Sequence, residues 1–379
     1  MSIYLDYNAS TPIDERVLDV MIDSYKNCFG NADSRTHTFG LKAEESVKIA
    51  RGSVAELLGV KPDEVIFTSG ATESNNIAIL GLKDYAEAQN KKHIITTAIE
   101  HKAVLEPMKM LETNGFDITY IKPNTAGMIN ADDVIANIRN DTLLVSVMHA
   151  NNETGIIQPI KELGEALSER DILFHVDAAQ SFGKLVNDLR GTKYDMLSAS
   201  AHKMYGPQGV GALVLRKKRY KRVPVKSIMC GGGQEFGIRP GTLPTALIVG
   251  FGEACKIAMN EYEENLKSYQ SNKNTIIKLL EESGLNYTIN GDQDNCMPNT
   301  VNVAFHGINS ESLMLASKQY CGISNGSACN SKSYKPSYIL EAMGLDMDRI
   351  ESSVRISWGI DQNIEADFVN LIKAAKNLV

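Results

Sequence analysis

Short apolar runs alternate with helix-patterned segments through most of this chain, and no other feature limits its fold as much. "EVIFTSG" (64–70) precedes helical "TESNNIAILGLKDYAEAQ" (72–89), and "KHIITTAIE" (92–100) precedes "AVLEPMKMLETNG". "FDITYIKP" (116–123), "TLLVSVMHA" (142–150), "ILFHVDAA" (172–179), "DMLSASAH" (195–202) and "GALVLR" (211–216) continue the series. Runs apolar on both faces, spaced by helices, predict an α/β fold with a mainly parallel sheet covered on both sides. In such sheets ligands collect beyond the carboxyl ends of the strands.

After about residue 250 the pattern changes. A long helical stretch over 244–283 leads to a strand at 300–307 and a helix near 310–320. A helix near 336–343, the strand "SVRISWG" (353–359) and a terminal helix follow. This predicts a smaller α+β domain with the long helix as the joint. The expected division is 15–250 for the large domain and 1–14 with 251–379 for the small one. At 379 residues the chain is long enough for both.

Other function classes lose ground on composition. A net charge of −7 argues against a broad nucleic-acid-binding face. "MSIYLDYNAS" carries no secretory pattern, and no apolar stretch reaches membrane-span length, so a cytoplasmic protein is expected. The six cysteines show no CxxC pair, which argues against a disulfide framework or a zinc site, and no metal is expected. "GFGEAC" (250–255) lacks the third glycine and the preceding strand of a dinucleotide fingerprint, and there is no GxxxxGK[ST] loop.

Several predicted strand ends carry polar residues. "FTSGATESNN" turns into a helix whose free amides, with the Thr72 hydroxyl, suit a phosphate, though an ordinary helix start reads the same way. His101 falls at a strand-to-helix turn, where it can stack on a flat ring, move protons, or only cap the helix. Asp177 ends an apolar run and shares a strand face with His175. A carboxylate there needs a cationic or hydrogen-bonding partner, such as a protonated pyridine nitrogen, and Gln180 follows within reach. In "SASAHKMYGPQGVGAL" (198–213), Ser200, His202 and Lys203 close one strand, and Gly206, Gly209 and Gly211 turn the chain into the next. Lys203 is either a snorkelling strand-end lysine or a desolvated nucleophilic amine. Taken together these residues meet the needs of pyridoxal 5′-phosphate. Finally, "SNGSACNS" (324–331) sets Cys329 among small polar residues rather than in a core.

The chain resembles the cysteine desulfurases, within the class V aminotransferase group of fold-type I pyridoxal-phosphate enzymes. "YLDYNASTP", "FTSGATESNN", "EHKAVLEP", "VSVMHANNETG", "HVDAAQSFGK", "SAHKMYGPQGVGAL", "GGGQEFGIRPGTLP", "NGSACNS" and "VRISWG" carry the resemblance in order. It implies a fold-type I transferase with a seven-stranded sheet. It implies Lys203 as the Schiff-base lysine, His101 stacking on the ring, Asp177 on the ring nitrogen and Gln180 on the ring hydroxyl. Ala71, Thr72, Ser200 and His202 would take the phosphate, with Thr242 from a second subunit, hence a homodimer. Asn152 and Arg355 would orient the substrate carboxylate, unless Arg355 serves a structural salt bridge. Cys329, in a loop of about 321–334, would take sulfur from L-cysteine as a persulfide, leaving alanine, with His101 helping to ionise the thiol.

The implied acceptor is a protein of iron–sulfur, tRNA-thiolation or DNA-phosphorothioation supply, with no direct contact to nucleic acid. Iron–sulfur members carry a longer C-terminal tail than "KAAKNLV", which counts against a cluster-scaffold partner, and the chain also resembles desulfurases that supply sulfur for DNA phosphorothioation, toward which the expectation leans. A selenocysteine lyase or another class V enzyme would share Lys203 and Asp177 without needing Cys329. A non-catalytic sulfur-relay scaffold would need none of them.

Overall fold

The computed structural model of the protein describes residues 3–218, 221–326, 336–360, 362 and 364–378. Seven strands form its main sheet: β1 (Val65–Thr68), β2 (His93–Thr97), β3 (Asp117–Ile121), β4 (Thr142–Met148), β5 (Leu173–Asp177), β6 (Met196–Ser200) and β7 (Gly211–Leu215). Their order is β1-β7-β6-β5-β4-β2-β3. Only β7 runs against its neighbours, pairing antiparallel with β1 and β6, and every other pair is parallel. The mainly parallel sheet expected from the apolar runs is therefore present.

Alternation along the strands explains why the runs are apolar throughout. Val65 and Phe67 of β1 and Ala212 and Val214 of β7 enter one buried cluster. Ile66, Leu213 and Leu215 enter another on the opposite face. Both faces exclude water, so neither leaves a polar stripe in the sequence. The expected helix over 72–89 is in fact two, Ala71–Leu80 and Lys83–Gln89. The break falls at Gly81, whose carbonyl accepts from Lys226 N at 2.8 Å.

Two further helices, Glu15–Asn27 and Thr38–Leu58, pack on the long helix Thr245–Glu282. The first half of that long helix buries Ile248, Phe251 and Cys255 in the larger cluster. Its second half buries Tyr269, Ile276 and Leu280 in a separate cluster with Leu5, Trp358 and Phe368. That second cluster is built on a three-stranded antiparallel sheet, β8 (Tyr287–Ile289), β9 (Thr300–Phe305) and β10 (Ser353–Ser357). Ile339, Leu340, Met343 and Ile350, though late in the chain, pack in the larger cluster. Of the described cysteines, Cys28, Cys255, Cys296 and Cys321 are buried and Cys230 is exposed. No described helix is long and apolar enough to cross a membrane.

Candidate active site

A cavity of about 580 Å³ opens beyond the carboxyl ends of the strands. Ala71, Thr72, His101, Asn152, Asp177, Gln180, Ser200, His202, Lys203 and Arg355 all line it. Thr242 does not. It is exposed, although Arg239, three residues before it, reaches the cavity wall through an ion pair with Glu73 at 2.9 Å. Cys329 lies outside the described residues. Ser324, Asn325 and Gly326 before it and Tyr338 after it are part of the same wall.

The parallel strands explain the convergence. β5 ends at Asp177, whose Oδ2 accepts from Asn75 Nδ2 at 2.7 Å and whose Oδ1 accepts from Ala179 N at 2.9 Å. Asn75 is a buried polar residue of helix Ala71–Leu80 that sequence reasoning passed over. Two residues back on the same face, His175 spans its neighbours, with Nδ1 2.8 Å from Ser146 Oγ and Nε2 2.9 Å from Ser198 Oγ. Burial pushes its pKa down to about 4, so it is a neutral strut beneath Asp177.

At the next strand end, β6 passes through Ser200 into the short turn that holds His202 and Lys203. The His202 carbonyl accepts from Thr11 N at 2.8 Å and Thr11 Oγ1 at 3.0 Å, which ties the N-terminal segment across the turn. Burial, with the Lys203 and Lys184 charges, pushes the His202 imidazole down to about 4.

His101 both caps and lines. It is the N-cap of helix Lys102–Glu112, and its Nδ1 accepts from Ala103 N at 3.1 Å. That bond assigns the neutral tautomer with its proton on Nε2. Burial and the Lys203 charge hold its pKa below the ordinary value, against the pull of Asp177. Just before it, Glu100 is fully buried and accepts from Thr97 Oγ1 at 2.7 Å and Met148 N at 2.9 Å. Burial raises this carboxyl to about 8.

Arg355 comes from β10 and reaches the cavity from the other side. Its Nη1 donates to Asn152 O at 2.8 Å and its Nη2 pairs with Asp6 at 2.5 Å. A structural ion pair is therefore present, but it uses one edge of the guanidinium. Nε is buried without a partner among the described residues, as is Oδ1 of Asn152.

These atoms fit pyridoxal 5′-phosphate on three counts. Helix Ala71–Leu80 starts at Gly70 with no side-chain cap, leaving first-turn amides for a phosphate beside the buried Ser200 hydroxyl. Gln180 donates through Nε2 to Asn8 O at 3.0 Å, while its buried Oε1 has no partner among the described residues and can accept from a ring hydroxyl. Asp177 is 4% exposed and offers a carboxylate to a ring nitrogen.

Comparison with known proteins agrees with this geometry. The family model "Aminotransferase class-V" matches residues 3–366. A Cysteine desulfurase IscS of Neisseria meningitidis serogroup C / serotype 2a is 47% identical over 357 residues, covering 94% of this chain and 87% of that protein. Among solved structures, a NifS-like protein has a TM-score of 0.91 at 36% identity, covering 100% of this chain and 99% of its own. DndA from Streptomyces lividans has a TM-score of 0.82 at 43% identity, covering 94% of this chain and 99% of its own. A structure of SspA in complex with cysteine has the same TM-score at 39% identity, covering 95% and 99%. With the family model spanning nearly the whole length and the fold-type I sheet in place, the chain belongs to the class-V aminotransferases.

Proposed function

We propose that the protein is a pyridoxal-phosphate-dependent cysteine desulfurase, which converts L-cysteine to L-alanine and leaves the sulfur as a persulfide on Cys329. The observation that carries this reading is the convergence of Lys203, Asp177, His101 and Arg355 on one cavity whose wall includes Gly326 and Tyr338, on either side of Cys329 in the chain. Relatives named for the same activity, and a solved neighbour holding cysteine, support it.

When bound, pyridoxal phosphate supplies an aldehyde for an amine and a protonated ring that draws electrons from the substrate's Cα. The chain supplies the rest. First-turn amides at Ala71 and Thr72, with the Thr72 and Ser200 hydroxyls and His202, hold the phosphate. Asp177 keeps the ring nitrogen protonated, and the Asn75 bond keeps the carboxylate aimed. Arg355 Nε and Asn152 orient the substrate carboxylate, and a guanidinium edge suits that task. Lys203 moves the Cα proton. His101, neutral with its proton on Nε2, presents an N–H hydrogen-bond donor to the cavity. To take the Cys329 thiol's proton at Nε2 it must first adopt the other tautomer, with its proton on Nδ1 and the Ala103 bond given up. The Cys329 thiolate attacks the substrate sulfur, forming the S–S bond as the Cβ–S bond breaks, and protons delivered to Cβ and returned to Cα complete alanine.

The division into a large domain (15–250) and a small one (1–14 with 251–379) belongs to this reading, supported by the separate apolar clusters. So does a homodimer in which Thr242 serves the partner's phosphate site. Its exposure, together with the exposed Tyr25, Phe29, Phe39 and Leu41, supports a covering second copy. The acceptor is a protein, and likeness to DndA favours sulfur supply for DNA phosphorothioation, in the cytoplasm. Lys203→Ala should lose both the yellow colour and alanine formation. Cys329→Ala should keep the colour and lose alanine formation from L-cysteine. Alanine production at the wild-type rate by Cys329→Ala would refute the persulfide route and favour a lyase that needs no protein thiol.

A further inference from the structure

Glu153 stands in the cavity wall and has no part in the chemistry assigned above. Its side chain is buried, and the turn after β4 fixes its place. Asn151 Oδ1 accepts from the Glu153 and Thr154 amides at 2.9 and 3.0 Å, and Glu153 O accepts from Asn302 Nδ2 at 3.2 Å. From this fixed base the carboxyl group meets the chain at two points. Oε2 accepts from Ser337 Oγ at 2.5 Å. Ser337 Oγ itself accepts from Leu340 N at 3.2 Å, so its single proton is directed to Glu153. At the second point Gly326 lies against the carboxyl group so closely that any side chain there would collide with its oxygens. Gly326 and Ser337 flank Cys329 in the chain, one on each side.

We infer that Glu153 is a positioning residue for sulfur transfer: its carboxyl group braces Gly326 and Ser337, the residues it meets on either side of Cys329 in the chain. The inference rests on the desulfurase reading above. A tethered thiol reacts at a rate set by its effective concentration at the substrate sulfur, and that depends on where its tether is anchored. One rigid group at both anchors holds them at the cavity wall together. The brace needs an acceptor, not a charge. Burial raises the Glu153 carboxyl above its ordinary pKa, against the pull of Ser337, Arg355 and Lys102, the groups that face it. An amide oxygen at the same place can accept from Ser337 equally well.

The test compares Glu153→Ala and Glu153→Gln as holoproteins. Persulfide on Cys329 is followed in a single turnover by alkylation and mass spectrometry, and cysteine binding is followed by the change in the cofactor spectrum. Glu153→Ala should slow persulfide formation at least about tenfold while cysteine affinity changes less than about threefold, and Glu153→Gln should stay within about threefold of wild type on both. Amide hydrogen exchange at Gly326 and across Ser337–Leu340 should quicken in the alanine variant and not in the glutamine one. A wild-type persulfide rate in Glu153→Ala, an equal loss of cysteine binding, or a glutamine variant as impaired as the alanine one would overturn the inference. No persulfide on wild-type Cys329 would refute the desulfurase reading itself, and this role with it, whatever the exchange shows.

Discussion

Lys184 is 4% exposed, and its Nζ has no hydrogen-bond partner among the described residues. Burial, with the Lys203 charge, pushes its pKa down to about 7. Unfolding restores the ordinary value of 10.5, so the unfolded chain holds the proton more tightly between about 7 and 10.5. Stability should therefore rise with pH across that window, and the penalty is complete below it. Lys184→Met keeps the length of the side chain and removes the amine. It should stabilise the protein by about 2–4 kcal/mol at pH 7, with the gain fading toward about pH 10.5. Urea midpoints at pH 7 and pH 10 measure this, and an equal or lower midpoint at pH 7 would contradict it. Lys184 also shows where sequence reading stops at the residue scale. Asp177 is legible because a carboxylate ends an apolar run, and Lys203 because a cation closes the next strand. Nothing local marks Lys184, Asn75 or Glu153, whose significance comes from partners far along the chain or from having none.

At the scale of elements, the seven strands are readable because burial on both faces removes polar residues from them. The helix break at Gly81 is not, since it depends on Lys226 approaching from 145 positions away. Gly211 is a subtler case. The sequence presents it as one of three glycines in a turn, yet it is the first residue of β7, paired with Ser200 on β6 and Thr68 on β1. A Cβ at Gly211 would stand 2.6 Å from the Gly70 Cα and collide with the Ala199 carbonyl. The glycine is thus required by close approach: it lets the end of β6 and the start of helix Ala71–Leu80 come together around the phosphate cradle. Gly211→Ala should cost about 1–3 kcal/mol of stability and weaken cofactor binding at least about tenfold, because neither backbone can give without widening the cradle. Thermal unfolding of the apoprotein and cofactor titration by absorbance measure the two effects separately. A stable variant with unchanged cofactor affinity would show that the strands can spread.

At the scale of the whole molecule, the one described site residue absent from the cavity is also the one the resemblance assigns to a second subunit. Thr242 is exposed, while Arg239 from the same segment reaches Glu73 in the first turn of the cradle's own helix. This segment therefore braces its own cradle and offers its next residues outward. The exposed rings of Phe29 and Phe39, 5.4 Å apart, add apolar surface that a second copy would cover. If the dimer is twofold, each site combines Lys203 of one subunit with Thr242 of the other. Thr242→Asp would set a carboxylate against the phosphate, and Lys203→Ala removes the amine, so each variant alone should be inactive. In a mixed dimer both changes fall on one site and leave the other intact. Equal amounts of the two, unfolded and refolded together, should recover about one quarter of wild-type alanine production, because about half of the dimers are mixed and half of their sites are whole. Sedimentation of the refolded mixture confirms that dimers have formed. Recovery near zero from a mixture that is dimeric would place Thr242 in its own subunit's site, and a monomeric, fully active wild-type protein would remove the shared site altogether.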